Sequence, residues 1–253
     1  MPLNLNGIDQ GIAEAVMHFW TERSENGVRA GKTLDGFESV IKWVVRNNGM
    51  PDADIITGRQ AQIPGYFRPT KSWDILVMSQ GTLVAVIELK SIADSFGKNI
   101  NNRNEEVLGS GIDVKEAFAE DAFEGITRLF TGYVILVEDC PETQSSVAIH
   151  MKQFRAMSEF MAAPETRQSL YQRGQNGLYP SIPGVSYMKR FDILCRRLMQ
   201  KNLYTSAAVV TTPRSAIQDG CFGAVTQETG IMAFMSTLAS HIENIATIQG
   251  TYK

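Results

Sequence analysis

Two runs of apolar, largely β-branched residues, WDILVM at 73–78 and LVAVIELK at 83–90, flank the turn residues Ser79-Gln80-Gly81. This pattern predicts a β-hairpin. In the second run Leu83, Ala85, Ile87 and Leu89 are expected on one face, and Val84, Val86, Glu88 and Lys90 on the other. One face is then apolar throughout, while the other turns charged where the strand ends. A three-residue loop with Gly81 in the left-handed position would set Asp74 opposite Val86 and diagonal to Glu88, about 7–8 Å away at most.

Elsewhere the period of the apolar positions changes from two to that of a helix. Residues 8–23 and 34–47 read as amphipathic helices; the second carries the stripe Phe37, Val40, Ile41, Val44 and Val45 and is ended by Gly49-Met50-Pro51. Trp20 and Trp43 read as core. A short strand at 53–58 precedes a polar, proline-punctuated connection, RQAQIPGYFRPTKS. After the hairpin, a loop rich in Ser, Asn and Gly leads into a helix over about 103–123. TGYVILVEDC at 131–140 is a strand apolar on both faces that follows a helix, the pattern of a strand with a parallel neighbour. A helix-like stretch near 151–172 and a Gly/Pro/Asn-rich loop come next. SYMKRFDILCRRLMQKN follows as an amphipathic helix with Tyr187, Phe191, Leu194 and Leu198 inward. AAVVTT at 207–212 is a further strand, and 225–247 a closing helix. The order predicts one α/β domain over 1–253: a mixed central β-sheet flanked by helices, with a core at about 33–140 and a helical and C-terminal elaboration at about 141–253.

Composition changes this picture little. The 253 residues carry a net charge of −3, which counts mildly against a nucleic-acid partner, but duplexes are bound by local basic patches that a total conceals. Basic residues gather at Lys42–Arg46, Arg59–Lys71 and most densely Lys189–Lys201, where five cations face one acid, Asp192, on a single helix. That set is either a solvated face or a surface for a polyanion. Cys140, Cys195 and Cys221 are far apart with no C-x-x-C, which argues against a zinc ribbon or disulfide framework. No leader pattern is visible and no apolar run approaches the roughly 18 residues of a membrane span. The expected location is the cytoplasm.

The chemistry lies at the charged end of the hairpin. Asp74 and Glu88 are close enough in the expected register to share a metal ion, with Lys90 beside them. Such a trio is the equipment of a magnesium-dependent phosphodiesterase. Its bland alternative is a rim salt bridge with Lys90 between the two acids. Acid-x-Lys alone is weak evidence, since a chain of this length holds about one or two by chance, and Asp113-Val114-Lys115 supplies a decoy. The decoy sits in a helical pattern without an upstream strand-borne acid and fails the context test. Around the trio, Arg59, Gln62, Arg68 and Lys71 interleave with Tyr66 and Phe67 in the loop leading into Asp74. This is a surface loop or a phosphate- and base-contacting one. Lys98, Asn102 and Arg103 follow Lys90. Asn99, Asn101, Asn102 and Asn104 read mainly as turn-formers, with Asn102 and Arg103 also candidates for nucleic-acid contact. Asp35 and Glu38 fit a helix-capping pair; the alternative is that one of them is an extra metal ligand. His18, His150 and His241 are distant in sequence from the trio, which leaves histidine-based nuclease chemistry unsupported.

Topology and acids together resemble the PD-(D/E)XK nuclease superfamily. The segments IPGYFRPTKSWD, AVIELKS, SFGKNINNRNEE, TGYVILVEDC and SYMKRFDILCRRL resemble, more closely, the XhoI-type Type II restriction endonucleases. The resemblance runs from about residue 33 to about 200. The superfamily's usual Pro-Asp is here Trp73-Asp74, a departure where only the acid does chemistry. The resemblance implies a restriction-endonuclease-like fold, with Asp74, Glu88 and the backbone carbonyl of Leu89 holding Mg2+. Lys90 would orient the attacking water, lower its pKa or neutralise developing charge. It also implies a homodimer that cuts double-stranded DNA at the palindrome CTCGAG to leave 5′-phosphates on a 5′ overhang, with a cognate DNA methyltransferase as genetic partner. Arg59, Arg68, Lys71, Lys98, Asn102, Arg103, Lys189 and Arg190 are the candidate DNA contacts. Two other readings of the same residues are a structure-specific repair or junction nuclease and a non-catalytic DNA-binding protein.

Overall fold

The apolar strands assemble into one five-stranded mixed sheet, seen in a computed structural model that describes residues 2–26, 33–163, 167 and 172–251. Two helices, α1 (Ile8–Asn26) and α2 (Asp35–Asn47), come first. They are followed by β1 (Asp54–Thr57), β2 (Gln62–Pro64), β3 (Thr70–Ser72), β4 (Ile75–Ser79) and β5 (Thr82–Ile92). Next are α3 (Phe96–Ala119), β6 (Phe130–Glu138), the short α4 (Pro141–Gln144), α5 (Tyr187–Gln200), β7 (Ser206–Thr212) and α6 (Ile231–Thr251). The sheet order is β1-β4-β5-β6-β7. Pairing is antiparallel from β1 to β5 and parallel across β5, β6 and β7. The parallel neighbour expected for the 131–140 strand is therefore present on both sides. The central strands are apolar on both faces because helices cover both.

One layer packs α1, α2 and α6 against Ile75, Val77, Ala85, Ile87 and Leu89; the other packs α3 and α5 against Leu76, Leu83, Val86, Tyr133 and Ile135. Among the described residues no helix is long and apolar enough to cross a membrane.

The hairpin forms with a different turn and register from those expected. Its loop is the pair Gln80-Gly81, both left-handed (φ 52° and 77°), with Ser79 opposite Thr82. Two consecutive left-handed residues match the twist of the flanking strands, which explains the glycine. The register then slips by one, from Met78↔Leu83 to Val77↔Ala85, so that Val84 is skipped. This bulge breaks the expected alternation: Leu83 joins Val86 in the α3 layer, and Val84 joins Ala85 in the other. The last pair is Ile75↔Ile87, and one further step sets Asp74 opposite Glu88 rather than opposite Val86. A two-residue turn without the bulge would have sent the two acids to opposite faces, because side chains alternate with period two.

Three other elements differ from the pattern reading. The polar connection 59–72 contains a small antiparallel sheet, β2 with β3, anchored by buried Ala61 and Ile63 and by Trp73 N–H donating to Ala61 O (2.8 Å). Helix α3 starts at Phe96 rather than near 103, so Asn99, Asn101, Asn102 and Asn104 are all helical rather than turn-formers. Burial of Phe96, Ile100 and Val107 outweighs the weak preference of Asn for turns; only Asn99 bonds locally, Nδ2 to Asp94 O (3.1 Å). Of the helix-like stretch near 151–172, the described residues show a 3₁₀ turn, Ser158–Phe160, and helical backbone at Arg167, whose N–H donates to Ala163 O (3.2 Å). Residues 161–162 pair with 183–184, through a Met161–Gly184 bridge and Ala162 N to Pro183 O (3.0 Å); positions 164–166 and 168–171 lie outside the described residues.

Candidate active site

The bulged register gathers four charged side chains where β4 has ended and β5 continues. Glu88 is almost fully buried, with a side chain 4 % exposed, while Asp74 keeps 39 %. Lys90 Nζ lies 3.0 Å from Glu88 Oε1 and 3.4 Å from Asp74 Oδ2. Asp74 Oδ2 also accepts the Leu89 N–H at 2.7 Å, which fixes the carboxylate against the strand. Lys71, expected as a DNA contact in the loop leading into Asp74, comes from β3 to within 3.7 Å of Glu88 Oε1.

These contacts decide protonation. Burial alone would pull the Lys90 ammonium down, but Glu88 and Asp74 together outweigh it and hold its pKa above the ordinary lysine value. In the free protein Lys90 is therefore a cation and a donor, not a base. Glu88 Oε2, by contrast, is buried and has no hydrogen-bond partner. An unmet buried carboxylate oxygen is costly and is what a bound cation would satisfy. The donors are hard oxygens that suit Mg2+. Among the described residues no three of His, Cys, Asp and Glu gather closely enough to hold an ion. Asp74 and Glu88 are a pair, so an ion here would keep several positions for water and phosphate.

A third acid stands near this pair. Glu38 has a pKa raised to about 7, by burial first and then by the charges of Asp35 and Asp74. The capping role expected for Asp35 and Glu38 is not what the helix shows: Leu34 occupies the N-cap, no side chain caps it, and Asp35 is already helical. Glu38 thus faces the field of Asp74 from α2. Pattern reading had placed it on this helix without being able to give it a direction.

Beneath Glu88 lies Tyr133, its register partner on β6, fully buried with an unpartnered hydroxyl. Burial, with the nearby charge of Glu88 among lesser causes, pushes Tyr133 well above the usual phenol range, so it stays neutral. Trp73 is buried, and Lys71 Nζ sits 5.0 Å from its ring centre. Neither Tyr133 nor this use of Trp73 carries a motif that pattern reading detects.

The decoy acid has a structural task. Asp113 is buried, accepts the Phe67 N–H (2.8 Å) and pairs with Arg68 Nε (2.9 Å). It thereby holds the tip of the β2–β3 hairpin, where Tyr66 and Phe67 pack edge to face with centroids 4.8 Å apart and are exposed, Phe67 by 67 %. Arg59, Lys98 and Asn102 are exposed, and Arg103 pairs with Glu106 (2.5 Å). On α5 the cations are engaged within the fold. Lys189 (2.5 Å) and Arg196 (3.3 Å) meet the buried Asp192. Arg197 meets Glu159 (2.6 Å) and Arg190 donates to Val147 O (3.2 Å). Asp192 and Cys195 are buried there, whereas Tyr187 and Leu194, expected inward, are only half-buried. A large open cleft of about 1210 Å³ lies between α3, α5 and 149–160 and includes none of the four charged residues.

The family model of the restriction endonuclease XhoI matches residues 20–173 and 162–224. The chain belongs to the XhoI restriction endonuclease family. The match begins before and ends beyond the 33–200 span of the sequence resemblance. Among curated proteins, the chain is 36 % identical over 218 residues to the Type II restriction enzyme XhoI of Xanthomonas vasicola, covering 79 % of each chain. It is 30 % identical to the Type II restriction enzyme BstVI of Geobacillus stearothermophilus, covering 89 % of this chain and 93 % of that one. It is 38 % identical to the Type II restriction enzyme AbrI of Azospirillum brasilense, over 65 % of this chain and 82 % of the relative. No solved structure matches the chain.

Proposed function

We propose that this chain, a Type II restriction endonuclease by family, hydrolyses double-stranded DNA with Mg2+ at the palindrome CTCGAG and leaves 5′-phosphates on 5′ overhangs. The observation that carries the reading is the meeting of Asp74, Glu88 and Lys90 at one sheet edge in a chain of this family. Asp74, Glu88 and the Leu89 carbonyl would hold the ion, which when bound polarises the scissile phosphate and supports charge in an in-line displacement. Lys90, a cation in the free protein, orients the attacking water and neutralises negative charge on the phosphoryl oxygens. The water oxygen bonds to phosphorus as the P–O3′ bond breaks. One proton of the water goes to solvent and the departing 3′-oxygen takes one up. Glu38, whose pKa is raised to about 7 by burial and by the charges of Asp35 and Asp74, is proposed to relay the water's proton to solvent.

Arg59, Lys98, Asn102 and Arg103, with the aromatic tip Tyr66-Phe67, form the proposed DNA-facing set. Arg68, Lys189 and Arg190 act through the hairpin and helix that they fix. Residues 1–253 serve as one endonuclease domain in the cytoplasm. The palindrome calls for a homodimer, since a two-fold site is read by a two-fold protein, and a cognate methyltransferase protects the host's own sites. Digestion of a defined plasmid in magnesium, with sequencing of the ends, tests the proposal: discrete fragments ending at CTCGAG are expected. A smear or a preference for branched DNA would point to a repair nuclease. Duplex binding without any cleavage would point to a non-catalytic protein.

A further inference from the structure

Glu88 is the buried acid of the site, and it is met by two lysines rather than one. Lys90 reaches it along its own strand; Lys71 reaches it from β3, with Nζ 3.7 Å from the same Oε1. Lys71 is the less exposed of the two, 14 % against 22 %. Its ammonium is held from three directions: by Glu88, by the Ser72 carbonyl at 2.6 Å, and by the Trp73 ring at 5.0 Å. Holding a flexible lysine this way costs side-chain entropy, and burying a charge is unfavourable unless it is compensated. A lysine that served only to touch DNA would face solvent, as Lys98 does on α3.

The backbone explains how it arrives. Lys71 pairs with Ile63 in the β2–β3 ladder, and the buried Ala61–Trp73 bond ties that ladder to the chain entering Asp74. Trp73, standing where the superfamily usually has proline, thus supplies both the anchor and the face on which Lys71 rests. The indole face attracts a cation and keeps it from swinging away.

We propose that Lys71 is a second catalytic cation. It contacts the non-bridging oxygens of the scissile phosphate once Glu88 is engaged by the metal, complementing Lys90 on the other side. The inference rests on the nuclease reading above. It follows from charge: a phosphate approaching the Asp74–Glu88 pair meets two carboxylates, and a single lysine leaves that pair net negative toward a dianionic transition state. With a divalent ion bound, the two carboxylates and Lys90 would sum to only +1; Lys71 raises the sum to +2, which matches the charge of the dianionic transition state. Fixed charges aimed at where charge develops act on the barrier more than on ground-state binding.

The test uses the full chain and a duplex oligonucleotide carrying the sequence at which the parental chain is found to cut. Lys71→Met, which keeps the length and loses the charge, is expected to slow single-turnover cleavage in magnesium by roughly 100-fold or more at saturating duplex, while the Kd measured in EDTA changes by less than about threefold. Lys71→Arg is expected to recover at least about a tenfold part of that loss, which a purely structural role of the stem would not produce. Cleavage by Lys71→Met at the parental rate would overturn the inference. So would a deficit that vanishes at saturating duplex, which would make Lys71 a binding contact only. Thermal melts accompany both variants. If Lys71→Met melts near the assay temperature, Lys71→Ala with added ethylammonium replaces it, and absence of rescue at any amine concentration counts against the proposal. If the parental chain cuts no duplex in magnesium, the nuclease reading itself falls, a result distinct from a normal Lys71 variant.

Discussion

Lys90 is held between two acids, at 3.0 Å from Glu88 and 3.4 Å from Asp74, and its proton is stabilised by both. Removing it deletes charge from the proposed reacting centre without touching the exposed residues proposed to face DNA. Lys90→Ala is therefore expected to lower cleavage in magnesium by about 100- to 1000-fold or more while site-bearing duplex is still retained in a gel-shift assay. A Lys90→Ala protein that cuts at the parental rate would sink the catalytic assignment. The three residues were legible in the chain because each has a type and spacing that the proposed chemistry demands. Lys71 was legible only as one of several basic residues in a polar segment. Nothing in the order Thr70-Lys71-Ser72-Trp73 tells which way a three-residue strand turns its side chains, and that direction depends on the Ala61–Trp73 bond.

At the scale of elements, the hairpin works because of a defect. The extra residue Val84 restores the parity that the two-residue turn would have broken, and so brings Asp74 to the side of Glu88. A bulge leaves backbone groups outside the ladder, and here the Val84 carbonyl accepts from His241 Nε2 of α6 at 3.2 Å. Since a carbonyl only accepts, His241 carries its proton on Nε2. Its pKa is lowered from 6.5, by burial first, with the Val84 bond opposing and Arg128 adding to the lowering. A histidine whose folded pKa is depressed leaves stability intact above its unfolded value of 6.5 and reduces it as pH falls toward the folded value. Melting curves should therefore show the parental chain losing more stability than His241→Gln between neutral and mildly acidic pH. The glutamine amide can donate to the same carbonyl without titrating. Glu38, whose raised pKa acts in the opposite direction, is common to both chains and cancels in the comparison. Parallel curves would remove His241 as an acid-sensitive strut of the bulge.

At the scale of the molecule, the C-terminal helix packs on the face of the sheet opposite the one that carries Glu88 and Lys90, and it supports the site strand from behind. Phe234 of α6 is buried against Phe130, with ring centres 5.7 Å apart, and its ring tip lies 2.9 Å from where a Cβ on Gly132 would be, too close for one. The bare backbone at Gly132 lets α6 seat directly on β6, the strand beside β5. Phe234→Ala is expected to cost about 3–5 kcal/mol in urea-induced unfolding. A loss under about 1 kcal/mol would show that α6 adds little to this layer.

The chain by itself determined the class and most of its parts. Long apolar runs bury wherever they are placed, so strands 75–79, 82–92, 130–138 and 206–212 and helices α1, α2 and α5 follow from local pattern. The acids and lysine at the end of one such run follow equally from residue type. Tertiary structure decided what depends on a partner distant in sequence. The start of α3 depends on burial of Phe96 and Ile100, the β2–β3 hairpin on buried Ala61 and Trp73, and the engagement of the α5 cations on Asp192 and Glu159. It also decided the register that sets Asp74 beside Glu88. A slip of one residue changes the face of every side chain beyond it, yet leaves the local pattern of apolar residues almost unchanged.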